Sequence, residues 1–251
     1  MYRFFVSPED ISDGQVRFSG ETARHIARSL RMARGETVVA CDGAGREYIC
    51  RLDSFDEDRE VLAEVLSSSR GESEPPIELR LYQAYPKGDK LDGIVMKATE
   101  TGATSVTPFI SHRCISRPEP ARRAKIRERL ARIALGAAEQ SHRSLIPRIE
   151  DTRSFSEMLS EASGAELFLF CYEGGEGVET VELRELLSEY QDGRMPTSIS
   201  IVIGSEGGFD REEAIAARDA GAKLCSLGRR ILRCETASVF VLAGICCHFG
   251  I

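Results

Sequence analysis

No tryptophan occurs among the 251 residues, and only five of the 33 basic residues are lysine, at 87, 90, 97, 125 and 223. Apolar residues never run on for the roughly 18 positions a membrane span needs. The opening Met1-Tyr2-Arg3-Phe4-Phe5 lacks the basic, apolar and small-residue order of a signal peptide. The expectation is a cytoplasmic protein with no membrane partner. Eight cysteines stand at 41, 50, 114, 171, 225, 234, 246 and 247, mostly inside apolar runs and without paired CxxC elements. That pattern favours reduced core thiols over a disulfide framework and predicts no metal. The strings GxGxxG and GxxxxGK[ST] are also missing, so neither a dinucleotide fingerprint nor a P-loop is supported.

Positive charge is in deficit overall, with a formal net charge of -7. Taken alone this disfavours a nucleic-acid partner, because phosphate binding needs local positive potential. The mean conceals two belts. Residues 112–148 hold ten Arg or Lys against three Glu, whereas residues 149–194 hold three Arg against twelve acidic residues. The arginine excess suits planar, bidentate phosphate contacts, although genome composition produces the same bias and the basic belt could be a solvated helix face.

What is present divides the chain in two. The stretch 67–76 contains no large apolar residue and ends in two prolines, and so reads as a linker. Before it, short apolar runs alternate with turn signals, and only residues 21–31 look helical. The prediction is a small β-barrel over 1–70, a linker over 71–76 and a second domain over 77–251. In the second domain, strand-like runs at 77–85, 104–110, 165–172, 198–203 and 223–227 are separated by helical patterns near 89–101, 120–140, 179–190 and 211–220. This is the rhythm of an α/β domain with a mainly parallel sheet, whose ligand site lies at the carboxyl ends of the strands.

Two loops stand at such ends. Ile203-Gly204-Ser205-Glu206-Gly207-Gly208 precedes Asp210, an N-cap with Glu213 completing a capping box. Its glycines admit close approach of a ligand to the backbone, or simply make a tight turn. The segment 227–237 packs Arg229, Arg230 and Arg233 around Ile231 and Leu232, either to hold an anion or as surface arginines. Residues 236–249 are apolar on nearly every face, and call for cover from a second subunit or from the chain's own sheet. His248 reads as structural.

Taken in order, several segments resemble the RsmE family of ribosomal RNA methyltransferases, in the SPOUT superfamily, over nearly the whole chain. They are His25 with Leu30-Arg31, Lys87-Gly-Asp-Lys90 with 97–102, Ala138-Glu-Gln-Ser141 with Arg143 and Pro147, 203–208, and 227–237. One departure is visible: the family usually has proline where this chain has Ser205, which bears on loop stiffness more than on activity. The resemblance implies a PUA-like N-terminal barrel, a SPOUT domain with a C-terminal deep trefoil knot, and a homodimer. It also implies S-adenosylmethionine as methyl donor and a uridine N3 of 16S (small-subunit) ribosomal RNA as acceptor.

It places the cofactor on Cys171, Tyr172, Ile203, Gly204, Ser205, Glu206, Gly207, Gly208, Leu227, Gly228, Ile231, Leu232 and Arg233. Methyl transfer from a sulfonium needs acceptor, carbon and sulfur in line, and uridine N3 is a poor nucleophile until its proton leaves. Arg233 is the expected stabiliser of the uracil anion, with Glu235 or Glu206 as base or orienting group. The RNA is expected on His25, Arg31, Lys90, Lys97, Arg113, Arg117, Arg122, Arg123 and Arg143. Lys87, Lys90 and Lys97 could instead face an acidic partner on their own chain. The alternatives are a SPOUT enzyme acting on transfer RNA or another base atom, and a non-catalytic RNA-binding protein of this fold.

Overall fold

The computed structural model describes residues 1–56, 60–175, 177–190 and 194–251. It divides into two compact units, Met1–Glu74 with Ala138–Ile146, and Pro75–Ala137 with Pro147–Ile251.

The first unit is a six-stranded sheet. Its strands are β1 (Arg3–Phe5), β2 (Ile11–Ser12), β3 (Gln15–Ser19), β4 (Thr37–Cys41), β5 (Arg46–Asp56) and β6 (Glu60–Arg70), in the order β1-β4-β5-β6-β3-β2. Only β1 and β4 pair in parallel. Alternation decides which face goes inward: in β3, Val16 and Phe18 are buried while Gln15, Arg17 and Ser19 are exposed. Ala23 and Ile26, from α1 (Gly20–Arg24) and the π-turn His25–Ser29 that follows it, join the same core. Register shifts between Ile49 and Cys50, and between Leu52 and Ser54, let the long β5–β6 pair bend around that core.

The sequence reading needs one correction here. Residues 67–70 are not linker but the end of β6, paired with Arg46 to Ile49. Their side chains are all exposed, so no hydrophobic alternation marked them as strand. Beyond them, the Gly71 amide donates to the Gly45 carbonyl at 2.9 Å.

The second unit is an α/β layer structure. Its strands are β7 (Glu78–Ala84), β8 (Ser105–Ile110), β9 (Arg148–Ile149), β10 (Arg153–Ser154), β11 (Leu167–Cys171), β12 (Val181–Glu182), β13 (Ser198–Ile203) and β14 (Lys223–Ser226). The order is β10-β8-β7-β13-β11-β14-β12, with β9 also on β8, and every pairing is parallel. Helices α2 (Lys90–Glu100), α3 (Pro120–Gln140), α4 (Phe155–Ala162), α5 (Leu183–Ser188), α6 (Arg211–Asp219) and α7 (Cys234–Phe249) alternate with these strands. Residues 167–170 and 199–203 are buried without alternation, as expected of parallel strands covered on both faces.

Helix α4 has no counterpart among the expected helices, although Ser154 and Glu157 form a full capping box at its start. The expected helix at 179–190 is shorter, beginning at Leu183 after β12. Helix α7 buries Ala237, Ser238, Val241, Leu242 and Ile245 within its own unit, yet leaves Phe240 45% exposed. Among the described residues no helix is long and apolar enough to cross a membrane.

Candidate functional site

The strands β13, β11 and β14 are neighbours in the sheet, and their carboxyl ends open into one cavity of about 690 Å³. Its walls are residues 171–174, 203–209 and 225–232, with Arg113, Cys234 and Ala237. The volume lies within the ~300–1,000 Å³ of ordinary small-molecule sites. Apart from Arg233, every residue that the sequence assigns to the cofactor lines this cavity.

The glycine loop is a tight turn and a wall of the cavity at once. The Gly208 amide donates to the Ser205 carbonyl at 2.9 Å, and Gly208 sits at φ +62°. A Cβ on Gly204 would come within 3.1 Å of Gly208 Cα and 3.2 Å of the Phe209 ring. Gly207 abuts Arg113, whose Nη1 donates to the Gly207 carbonyl at 3.2 Å. From the strand side, Gln83 Nε2 donates to the Gly204 carbonyl at 3.1 Å. Phe209 anchors the far end, its ring 4.2 Å from that of Phe170. Asp210 and Glu213 form the expected capping box, and they also accept from His112: its amide reaches Glu213 Oε1 at 2.7 Å and its Nδ1 lies 2.7 Å from Asp210 Oδ2.

The candidate carboxylates are not free. Glu206 Oε1 lies 2.7 Å from Lys90 Nζ, and its carboxylate accepts from the Lys87 amide at 3.1 and 3.2 Å. Glu235 Oε2 lies 3.6 Å from the same ammonium. Partial burial works against ionisation of both. Even so, the Lys90 ammonium and the amides of Glu206 and Lys87 hold the Glu206 carboxyl below its ordinary value. The Glu235 amide, the Cys234 thiol and Lys90 do the same for Glu235. A carboxylate so stabilised is a weaker proton acceptor than a free one, and both are engaged with Lys90.

Two of the cavity thiols, Cys171 and Cys234, are held in the protonated form. A hydrogen bond with Cys225 and burial hold the Cys171 thiol well above its ordinary value, and burial, with the bond to Glu235, pushes Cys234 up to about 12.

Arg233 is the N-cap residue of α7. Its carbonyl accepts from the amides of Thr236 and Ala237 at 2.8 Å, and its exposed side chain does not line the cavity, contrary to the expected cofactor contact. The arginines that do line it are Arg113, Arg229 and Arg230, all exposed.

Burial removes one of the residues assigned to RNA, and ion pairing engages another. Arg143 is 3% exposed, with Nη2 2.6 Å from Glu74, so its guanidinium is spent inside the first unit. Lys90 faces Glu206 and Glu235, the acidic-partner alternative. Arg117 is exposed but donates to the carbonyls of Ser111, His112 and Cys114, and half-buried Arg123 donates to that of Pro118. In the first unit, His25 and Arg31 are exposed, with the His25 ring 6.2 Å from that of Phe4 and Arg31 at φ 52°. Lys97 and Arg122 are exposed on α2 and α3.

Sequence reasoning missed Gln83 and the cavity place of Arg113. A glutamine near the carboxyl end of the strand run 77–85 was the available signal for the first. For Arg113, which sits three residues beyond a strand end, no signal separated it from the other arginines of the belt.

Comparison with known proteins places these features. Residues 73–245 match the model of an RNA methyltransferase domain, and residues 18–66 that of an RNA methyltransferase PUA domain. The chain is 32% identical to the ribosomal RNA small subunit methyltransferase E of Bacillus subtilis, over 98% of this chain and 96% of that protein. Among solved structures, the ribosomal RNA small subunit methyltransferase E of Neisseria gonorrhoeae bound to S-adenosyl methionine is 29% identical, with a TM-score of 0.84 over 98% of this chain and 97% of the other. A Legionella pneumophila methyltransferase holding the same cofactor is 26% identical, with a TM-score of 0.84 over the same shares.

Proposed function

The chain belongs to the RNA methyltransferase family that includes the ribosomal RNA small subunit methyltransferases E, and on that footing we propose that it methylates N3 of one uridine in 16S ribosomal RNA, with S-adenosylmethionine as donor. The observation that carries the reading is the cavity itself, where three adjacent parallel strands end, one wall is a glycine turn packed tightly at Gly204, and three arginines stand on the lining. Those features fit a nucleoside joined to a charged amino acid, with residues 171–174, 203–208 and 227–232 as its holders. The bound cofactor supplies an electrophilic methyl group on sulfur.

The protein's own work is then to orient and to stabilise. Arg113, Arg229 and Arg230 face the developing negative charge on the uracil oxygens, which lowers the cost of passing the N3 proton to solvent water without a carboxylate base. For N3 to reach the cavity the base must leave its stack. Exposed cations of the basic belt, Arg117, Arg122 and Lys125, meet ribosomal phosphates. His25 and Arg31 do the same on the first unit, which we take as the PUA-like RNA-binding domain.

We also take the segment from β13 to α7 as a deep trefoil knot. The insertion of β13 between β7 and β11, out of chain order, supports it. Uncovered Phe240, beside Leu183, Leu187 and Leu227 in a groove of about 440 Å³, supports a homodimer through α7. A cytoplasmic location follows from a ribosomal substrate.

Mass spectrometry of ribosomal RNA from a deletion strain tests the target. Loss of one 3-methyluridine from the small-subunit RNA is the expected result, and an unchanged small-subunit RNA with a lost methyl on transfer RNA would replace the target.

A further inference from the structure

The first residue of α2 stands between the glycine turn of the cavity and the first turn of α7. Lys90 Nζ reaches 2.7 Å to Glu206 in the glycine turn and 3.6 Å to Glu235 in the first turn of α7. Two residues farther on, Asp92 pairs with Arg129 of α3, so the start of α2 is itself held in place. The carboxylates and the ammonium are each between 24% and 30% exposed, partly screened from water but not sealed from it. Cys234 and Ala237, which flank Glu235 on α7, are cavity wall.

We propose that Lys90 is a positioning residue of the cofactor cavity, whose ammonium clamps the 203–208 turn to the start of α7 by lying between two carboxylates. The inference rests on reading the cavity as the S-adenosylmethionine site. Without the cation, Glu206 and Glu235 are like charges with nothing between them, and Coulomb repulsion drives their elements apart. Glu235 is also favoured where it is by the positive end of the α7 dipole. The turn carrying Glu206, built on Gly204, Gly207 and Gly208, is therefore the part that gives way, and the cavity widens on that side. The clamp acts through electrostatics and not through shape, so any change that restores charge balance restores the turn.

The test is calorimetric titration of S-adenosylmethionine into the full chain, with circular dichroism confirming that each variant is folded. Lys90→Met is expected to bind about tenfold more weakly than the wild type. Lys90→Arg keeps the cation and should stay within about threefold, and Lys90→Met with Glu235→Gln should recover to within about threefold, because one of the two repelling charges is gone. Should Lys90→Met prove unfolded, Glu206→Gln provides the second route: in its presence Lys90→Met or Lys90→Gln should cost no more than about twofold further.

Wild-type affinity in Lys90→Met, an equal loss in Lys90→Arg, or no recovery in the double variant would overturn the clamp. A wild-type chain that fails to bind S-adenosylmethionine at all would overturn the cofactor reading first, a result distinct from any pattern among the variants.

Discussion

Arg143 lies buried against Glu74, its Nη2 2.6 Å from the carboxylate, and the same carboxylate accepts from the amides of Ser144 and Leu145 at 2.9 and 3.0 Å. One glutamate thus fastens the segment 143–145 to the strand-built part of the first unit. Glu74→Ala leaves a guanidinium that is 4% exposed without this counter-charge. Breaking such a pair costs about 3 kcal/mol. Urea unfolding should show the midpoint falling with little change in slope. A loss under about 0.5 kcal/mol would mean that the pair contributes no more than a surface one.

Gly204→Ala tests whether the turn is shaped for a ligand. The added methyl meets Gly208 and Phe209 at 3.1 to 3.2 Å, and the contacts at Gly208 are backbone, which cannot rotate away. The turn must shift. Affinity for S-adenosylmethionine should fall by at least about tenfold while global stability falls by only about 1–2 kcal/mol. Loss of stability with affinity intact would return Gly204 to a packing role.

Arg113 and Arg233 separate the cavity lining from the loop exit. Arg113 lines the cavity and is tethered to the Gly207 carbonyl, a preorganised donor, whereas Arg233 stands outside the lining. Single-turnover methylation of small-subunit particles should lose about 10²-fold or more in rate on Arg113→Ala, with cofactor affinity within about threefold of the wild type. The change Arg233→Ala should act more weakly on the rate. The reverse ranking would restore Arg233 as the stabiliser of the uracil anion.

Strand rhythm in residues 77–227 was legible because parallel strands covered on both faces are largely apolar runs, and those of β11, β13 and β14 end where the cavity is. The same logic was blind to the end of β6, whose serines at 67–69 and Arg70 pair through backbone alone. It was blind also to partnership. Arg143 and Arg113 are equally arginines of one basic belt in the sequence, yet a distant glutamate takes the first indoors and a neighbouring glycine turn holds the second at the cavity. Glu206 and Glu235 likewise read as solitary carboxylates until Lys90, more than a hundred residues from either, is seen beside them. Chain-distant charge pairing leaves no periodic trace.

Salt dependence tests the RNA surface. Arg122 and Lys125 are exposed on α3. If they meet phosphate, affinity for a small-subunit RNA fragment should fall steeply with salt, and Arg122→Ala should reduce the slope of log K against log[salt] by about one. An affinity flat between about 50 and 200 mM salt would leave the belt as a solvated face.

The pH profile discriminates between a carboxylate base and stabilisation of the uracil anion by cations. Glu206 and Glu235 are both held below their ordinary values. A depressed carboxyl contributes its tie to Lys90 fully above the ordinary glutamate range and loses it only as pH falls through the depressed value. Cofactor affinity should therefore be flat through neutrality and weaken only in acid, below about pH 4. Methylation, by contrast, should rise towards alkaline pH as the uridine N3 proton becomes easier to lose, and the position of that limb should not move in Glu206→Gln or Glu235→Gln. A limb between about pH 5 and 8 that disappears in either variant would identify that glutamate as the base after all.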